Sequence, residues 1–369
     1  MKIFVTGTRG MPDIPGGIEK HCQGIYPRVA DMGHEVYVAV RKPYVRYKEP
    51  KWHGVNLVPV YAPRKSSLET IVHTCLAIFR AKGFAPDILH VHGVGPGLLV
   101  PLGRALGMKV VVTHHGPDYE RQKWGWVARV VLRLGEWVSV RWADAVIVLS
   151  PYLRDMIKNR YGRDTYVIPN GVRLPEDMGR TEILDRVGVA PGKYILAVSR
   201  IEPGKGLRLL LEAFLKVKTD LRLVIAGYIT YESACSRQLK QMAKKDGRVV
   251  FAGHVEGDDL SGLYANAAFF VLPSYHEGLP ISLLEAMSYG LPVLVSDIAA
   301  NREVGLDERR YFTCGDVGDL AEKLSVLIDQ GVSEEEKAWF RKEIAEKYDW
   351  GRIAGETVRV YEKVLSFKF

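Results

Sequence analysis

The strongest constraint on this chain is a rhythm of short, Val- and Ile-rich runs separated by turn- and helix-length segments, which starts at Lys2 and starts afresh at Tyr194. In the first half the runs are 2–6, 34–41, 55–60, 87–92, 109–114 and 145–150, with 165–169 closing the series. Strands that are apolar along their whole length are buried on both faces, which calls for a parallel sheet between layers of helix. In the second half 194–198, 221–226, 249–251, 268–272 and 292–295 read as strands, with helices at 206–217, 233–244, 280–289 and 317–329. Between the halves, 173–192 is polar, contains proline and keeps no period. The linker is therefore placed at 171–192, with domains at 1–170 and 193–350. The tail from Glu334 reads as helical with a break near Asp349-Trp350-Gly351, and its last part, about 351–369, is expected to pack back on the first domain. The predicted fold class is α/β: two doubly wound, Rossmann-like domains facing each other across a cleft.

Composition narrows the function. Residues 1–170 hold 24 Lys and Arg against 13 Asp and Glu, net +11, whereas 171–369 are net −3, out of +8 for the chain. A basic first half suits nucleic acid, an anionic membrane surface or phosphorylated ligands. No recognition helix, zinc spacing or RNA-binding signature is present, so nucleic acid is set aside. The longest runs free of Asp, Glu, Lys and Arg, 88–103 and 260–276, are short and broken by Gly, Pro or His, so no membrane-spanning helix is expected. The start of the chain runs directly into a strand without signal-peptide features. With four dispersed cysteines (Cys22, Cys75, Cys235, Cys314) this predicts a cytoplasmic protein with reduced thiols.

Ligands of open α/β sheets bind beyond the carboxyl ends of strands, so the loops after strands carry the chemistry. The first is Gly7-Thr8-Arg9-Gly10-Met11-Pro12-Asp13-Ile14-Pro15-Gly16-Gly17-Ile18-Glu19. Gly16 and Gly17 precede a helix, where free backbone N–H groups and the helix dipole favour an anion. The spacing is not G-x-G-x-x-G, so the dinucleotide fingerprint is absent, and a plain turn stands beside the anion reading. The second loop, Ser199-Arg200-Ile201-Glu202-Pro203-Gly204-Lys205-Gly206, combines two cations with glycines that permit close approach, which suits a leaving diphosphate. The third, Glu277-Gly278-Leu279-Pro280-Ile281-Ser282-Leu283-Leu284-Glu285, sets two carboxylates eight positions apart around a proline expected in the first helical turn. Eight helical residues rotate through about 800°, which predicts that both carboxylates face one side, one for a sugar and one for a ribose. The Gly278 and Leu279 amides add an anion site.

These loops, in this order and over nearly the whole chain, resemble the signature loops of the family 4 retaining glycosyltransferases of the GT-B fold. Asn170-Gly171-Val172, Gly253-His254-Val255 with Leu263-Tyr264, and Ser296-Asp297 with Asn301 and Glu303 sit where that family carries similar pieces. Gly7-Thr8-Arg9-Gly10 resembles a branch that assembles polysaccharides or lipid-linked glycans in bacteria and archaea. The resemblance implies transfer of a sugar, with retention, from a nucleoside diphosphate sugar to a glycan or lipid-linked acceptor. It implies a catalytic set of Arg200 and Lys205 on the diphosphate, Glu277 on the sugar hydroxyls and His115, of Thr113-His114-His115-Gly116, on the transferred sugar. It implies donor contacts at Gly16, Gly17, Val255, Gly278, Leu279, Ile281, Leu283 and Glu285, the last on the ribose, and an acceptor side at Glu19 and Arg9. No metal and no cofactor is expected, because the chain has no D-x-D and its cations and helix dipoles can neutralise the leaving group. A non-catalytic sugar-nucleotide-binding partner and an epimerase of the same fold are the alternatives.

Three segments admit two readings. Residues 121–142 carry Trp124, Trp126, Trp137 and Trp142 among Arg121, Lys123, Arg129, Arg133 and Arg141, as an interfacial helix does. Val127, Val130, Val131, Leu134 and Val138 recur at helical spacing, and they are expected to form a core stripe packed on the sheet. The basic, aromatic loop 42–51 is expected to be solvated, with acceptor or membrane contact as the other reading. His90 and His92 share one side of a strand without an obvious third metal ligand, which points to a structural or acceptor-side role.

Overall fold

The computed structural model describes residues 1–45, 47–63, 66–120, 124–175, 181–228, 234–331 and 333–366. Arg46, Arg121 and Lys123 fall outside them. The chain forms two compact units, Met1–Gly171 with Trp350–Phe369, and Val172–Asp349.

The first unit is built on strands β1 (Lys2–Thr6), β2 (Glu35–Arg41), β3 (Lys51–Trp52), β4 (Val55–Val60), β5 (Ile88–His92), β6 (Lys109–His114), β7 (Ala145–Val148) and β8 (Tyr166–Val167). Their order is β3-β4-β2-β1-β5-β6-β7-β8, parallel except for the β3–β4 pair. Helices α1 (Gly17–Asp31), α2 (Ser66–Lys82), α3 (Val94–Gly97), α4 (Val100–Ala105), α5 (Trp126–Trp142) and α6 (Pro151–Tyr161) connect them. In the second unit, β9 (Tyr194–Val198), β10 (Arg222–Ala226), β11 (Val249–Gly253), β12 (Phe269–Leu272), β13 (Val293–Ser296) and β14 (Tyr311–Phe312) form an all-parallel sheet in the order β11-β10-β9-β12-β13-β14. Its helices are α7 (Glu182–Val187), α8 (Leu207–Phe214), α9 (Ala234–Ala243), α10 (Gly257–Asn266), α11 (Ile281–Ser288), α12 (Ala299–Arg302), α13 (Val317–Gln330) and α14 (Glu334–Lys347), and α15 (Trp350–Ser366) returns the chain to the first unit.

Both sheets are doubly wound. Strand order reverses between β1 and β5 in one and between β9 and β12 in the other, and the crevice at such a reversal is where open α/β sheets take ligands. The core of the first unit is a sandwich of Ile3, Val5, Val36 and Val38 with Cys22, Ile25, Tyr26 and Val29 of α1 and Ile353, Val358 and Tyr361 of α15. In the second unit Ile195, Ala197, Leu223, Ile225 and Val271 pack against Leu210, Leu211 and Phe214 of α8.

Two expectations change. Residues 173–192 are not a bare linker: they hold α7, whose Ile183 and Leu184 are buried in the second unit, and the units divide at Gly171/Val172. Six helical residues with three apolar positions are too few to show a period. The apolar stripe of α5 is not core. Val127, Val130 and Leu134 are 55%, 56% and 47% exposed, Val138 alone of the stripe is buried, and the helix otherwise buries Gly135, Glu136, Ser139 and Val140.

Candidate active site

In the second unit the two loops at the strand-order reversal are locked together. Gly206 sits at φ +63°, and a Cβ there would lie 1.9 Å from the carbonyl oxygen of Pro273, so only glycine lets the loop after β9 press onto the loop after β12. The Tyr275 amide donates to Gly204 O at 3.0 Å. This contact brings Lys205 to Glu277, Nζ to Oε1 2.7 Å, with both side chains largely withdrawn from solvent at 17% and 10% exposure. Arg200, on the same loop, pairs with Glu202 at 2.9 Å.

Glu285 lies on α11 and accepts from the Tyr264 hydroxyl of α10 at 3.1 Å, and Tyr264 in turn stacks on Tyr289. The 800° argument for Glu277 and Glu285 does not apply, because α11 begins only at Ile281 and half of the interval is loop. Pro280 is the extended residue before the helix rather than part of its first turn. Gly278 and Leu279 precede it directly. The side chains of Leu279, Ile281 and Leu283 are buried, so only backbone is available to a ligand there. The Leu283 N–H closes onto Pro280 O at 3.1 Å and holds the helix start together. Val255 lies just beyond β11, whose Gly253 O accepts from the Gly227 amide at 2.7 Å.

In the first unit Gly16 caps α1 at φ 153°, and a Cβ there would stand 1.9 Å from Glu19 Oε2, whereas one on Gly17 would meet open space. Glu19 folds back over Gly16 and accepts from the Arg9 amide at 3.0 Å. It is buried, so its carboxylate shapes the loop from inside and does not stand on an acceptor face as expected. Arg9 donates to Pro15 O at 3.4 Å and lies over the Tyr44 ring.

The two histidines after β6 part company. His114 is buried, its Nδ1 accepts from the Gly116 amide at 3.2 Å, and its Nε2–H therefore donates to Glu136 at 2.8 Å. Glu136 also accepts from Arg160 (2.9 Å) and Tyr161 (2.5 Å); burial opposes its charge, but the hydrogen bonds from His114, Tyr161 and Arg160 outweigh it and bring the pKa down to about 2. His115 is the partly exposed one, and its Nε2 lies 2.9 Å from His92 Nδ1. His21 from α1 joins them. The ligand atoms of His21, His92 and His115 lie within 4.8 Å of one another, so His92 gathers with His21 and His115 and His90 stays outside the cluster. Both nitrogens of His92 are engaged, Nε2 by the Tyr26 hydroxyl at 2.5 Å and Nδ1 by His115. The Tyr26 hydroxyl also lies 2.9 Å from His90 Nδ1, so His90, His92 and His115 share one hydrogen-bonded chain through it. Burial holds His92 and His115 well below the ordinary histidine range, so His115 is neutral at pH 7 and offers a hydrogen-bonding group, not a cation. The positions 21, 92 and 115 share no spacing rule, and only the packing of α1 on β5 and β6 unites them.

Two Rossmann-like parallel-sheet domains, each with its candidate residues at the strand-order reversal, define the GT-B class of glycosyltransferase fold. Residues 15–175 match the family described as Glycosyltransferase Family 4, residues 192–330 match Glycosyl transferases group 1, and the chain belongs to this glycosyltransferase family. It is 28% identical to an uncharacterized glycosyltransferase of Methanocaldococcus jannaschii, over 98% of each chain. It is 26% identical to the phosphatidyl-myo-inositol mannosyltransferase of Mycobacterium leprae, over 95% of this chain and 94% of that one. Among solved structures it is similar to Anabaena HepE in complex with UDP and glucose, with a TM-score of 0.79 and 18% identity over 98% of this chain and 99% of the other.

Proposed function

We propose that this chain is a retaining, metal-independent glycosyltransferase that moves a sugar from a nucleoside diphosphate sugar to a glycan or lipid-linked acceptor held at an anionic membrane surface. The observation that carries the reading is the Lys205–Glu277 pair, a half-buried cation and carboxylate poised at the strand-order reversal where a ligand enters. A diphosphate draws Lys205 and Arg200, and the released Glu277 carboxylate accepts from the sugar hydroxyls. The UDP and glucose of HepE and the lipid acceptor in the name of the mycobacterial relative support the two substrate classes. In the step itself the bond from the anomeric carbon to the phosphate oxygen breaks and the acceptor oxygen bonds to that carbon on the same face. The acceptor hydroxyl's proton passes to the departing phosphate. Preorganised cations stabilise the charge that grows on the diphosphate, and the second unit needs no metal for that purpose.

The reading is tested by calorimetry with a panel of nucleoside diphosphates and their sugars, with and without EDTA, followed by proton NMR of the first-formed product. Binding and turnover that survive EDTA, with the anomeric configuration of the donor kept, are expected. An inverted product removes retention, and turnover abolished by EDTA removes metal independence.

The two carboxylates separate in a second test. Glu277→Gln is expected to cripple transfer while nucleoside diphosphate still binds, whereas Glu285→Gln weakens nucleotide binding itself. Equal effects of both changes on binding would remove this division of labour.

A further inference from the structure

A helix laid on a sheet ordinarily turns its large apolar side chains inward and its charges out. α5 departs from this: it buries the charged Glu136 with Val138 and Val140, and leaves most of its large apolar side chains outside among its arginines. A Cβ on Gly135 would lie 2.2 Å from Val94 O, and one on Gly97 2.8 Å from Ser139 Cβ, so α5 meets α3 almost backbone to backbone. Only small residues fit that contact, and it consumes the inner face together with the buried Glu136. The outer face shows Trp126, Val127, Val130, Leu134 and Trp137, all exposed, Trp126 to 78%. At 1.5 Å per residue this stripe runs for roughly 17 Å, with tryptophan at both ends.

A second observation lies beside it. A cavity of about 450 Å³ opens next to Trp137, lined by Arg141, Arg160, Tyr161 and Arg163, and no acidic residue is among the residues that line it. Two of its guanidinium groups are braced from behind: Arg160 by Glu136 at 2.9 Å, and Arg163 by the carbonyl oxygens of Ala143 and Asp144 at 2.9 and 3.1 Å. Apolar surface edged by tryptophan is matched to the headgroup–acyl boundary of a bilayer, and clustered arginines are matched to phosphate.

We propose that the outer face of α5 lies in the interface of an anionic phospholipid bilayer and that the arginine-lined cavity at its C-terminal end receives a lipid headgroup phosphate. The proposal deepens the membrane-side reading above and rests on it. The net charge of +11 over residues 1–170 favours an anionic surface. A second copy is the poorer occupant, because a two-fold contact through this face sets the same arginines against each other.

The full chain is floated with vesicles of phosphatidylcholine alone and of phosphatidylcholine with phosphatidylglycerol. Binding to the anionic vesicles, weakened by salt and accompanied by a blue shift of tryptophan emission, is expected. Trp126→Ser with Trp137→Ser lowers that binding by at least about tenfold. Arg141→Gln lowers it by about fivefold. Glycerol phosphate in solution does not compete. Equal binding to both vesicle types, or variants that bind like the parent, overturns the proposal, as does a concentration-dependent dimer in light scattering that the tryptophan double variant abolishes. Competition by glycerol phosphate would assign the cavity to a free phosphate instead. UDP binding and transfer to a water-soluble acceptor are followed on the same samples. Transfer without vesicle binding overturns the surface and leaves the enzyme; vesicle binding without transfer overturns the enzyme and leaves the surface.

Discussion

Lys205→Ala is expected to lower the rate of sugar transfer by about 100–1,000-fold, the range seen when one preorganised charge stabiliser is lost. The lysine is largely shielded from water, so its charge acts through a poorer dielectric than a surface lysine and is worth more to a departing diphosphate. The change also removes the 2.7 Å ion pair to the Glu277 carboxylate, at a stability cost of about 1–3 kcal/mol. Single-turnover kinetics separate the two effects, since the loss lies in the chemical step at saturating donor while thermal melting reports the lost ion pair. Lys205→Arg restores charge without the geometry and should recover part of the rate. A Lys205→Ala enzyme within tenfold of the parent would remove Lys205 from the catalytic set.

Acidification from pH 7 to pH 5 is expected to destabilise the first unit by several kcal/mol, about 2 kcal/mol for each of His21, His73 and His90. Burial is the main cause in all three: it lowers His21 from 6.5 to about 4, and His73 and His90 to about 3, with the Arg41 charge adding to the effect at His73 and the His21 ring at His90. Below pH 6.5 the unfolded chain takes up protons that the folded chain refuses, so stability falls with pH. The loss begins near 6.5, runs down to the folded values near 4 and 3, and is absent above 6.5. Glu136 adds nothing to this window, because its lowered pKa makes its contribution disappear only as pH falls below the ordinary carboxylate value towards about 2. Hydrogen exchange of α1 and β5 across this pH range measures the effect, and His21→Gln should flatten the slope by about one proton. Stability that stays level between pH 7 and pH 5 would show that these rings are protonated in the fold.

Much of the fold was legible because parallel strands buried on both faces leave a plain mark. The runs at 2–6, 55–60, 109–114 and 194–198 match β1, β4, β6 and β9 to the residue. The order of the three loops along the chain likewise placed Arg200, Lys205, Glu277 and Glu285 after the correct strands. β3 and β14, each two residues long, were invisible because so short a strand has no period. α5 misled for a definite reason: a hydrophobic stripe shows that a helix has an apolar face, not which face the fold buries.

The sequence by itself therefore determined two doubly wound domains and the strands that the three candidate loops follow. The tertiary structure alone decided that Lys205 meets Glu277, that Glu19 turns inward and that His21 and His92 gather at His115. It also decided that α5 faces outward. Periodicity records a residue's relation to its own helix or strand, whereas these outcomes depend on contacts between segments as much as 94 positions apart, such as His21 and His115, and on close backbone approach at Gly206 and Gly135.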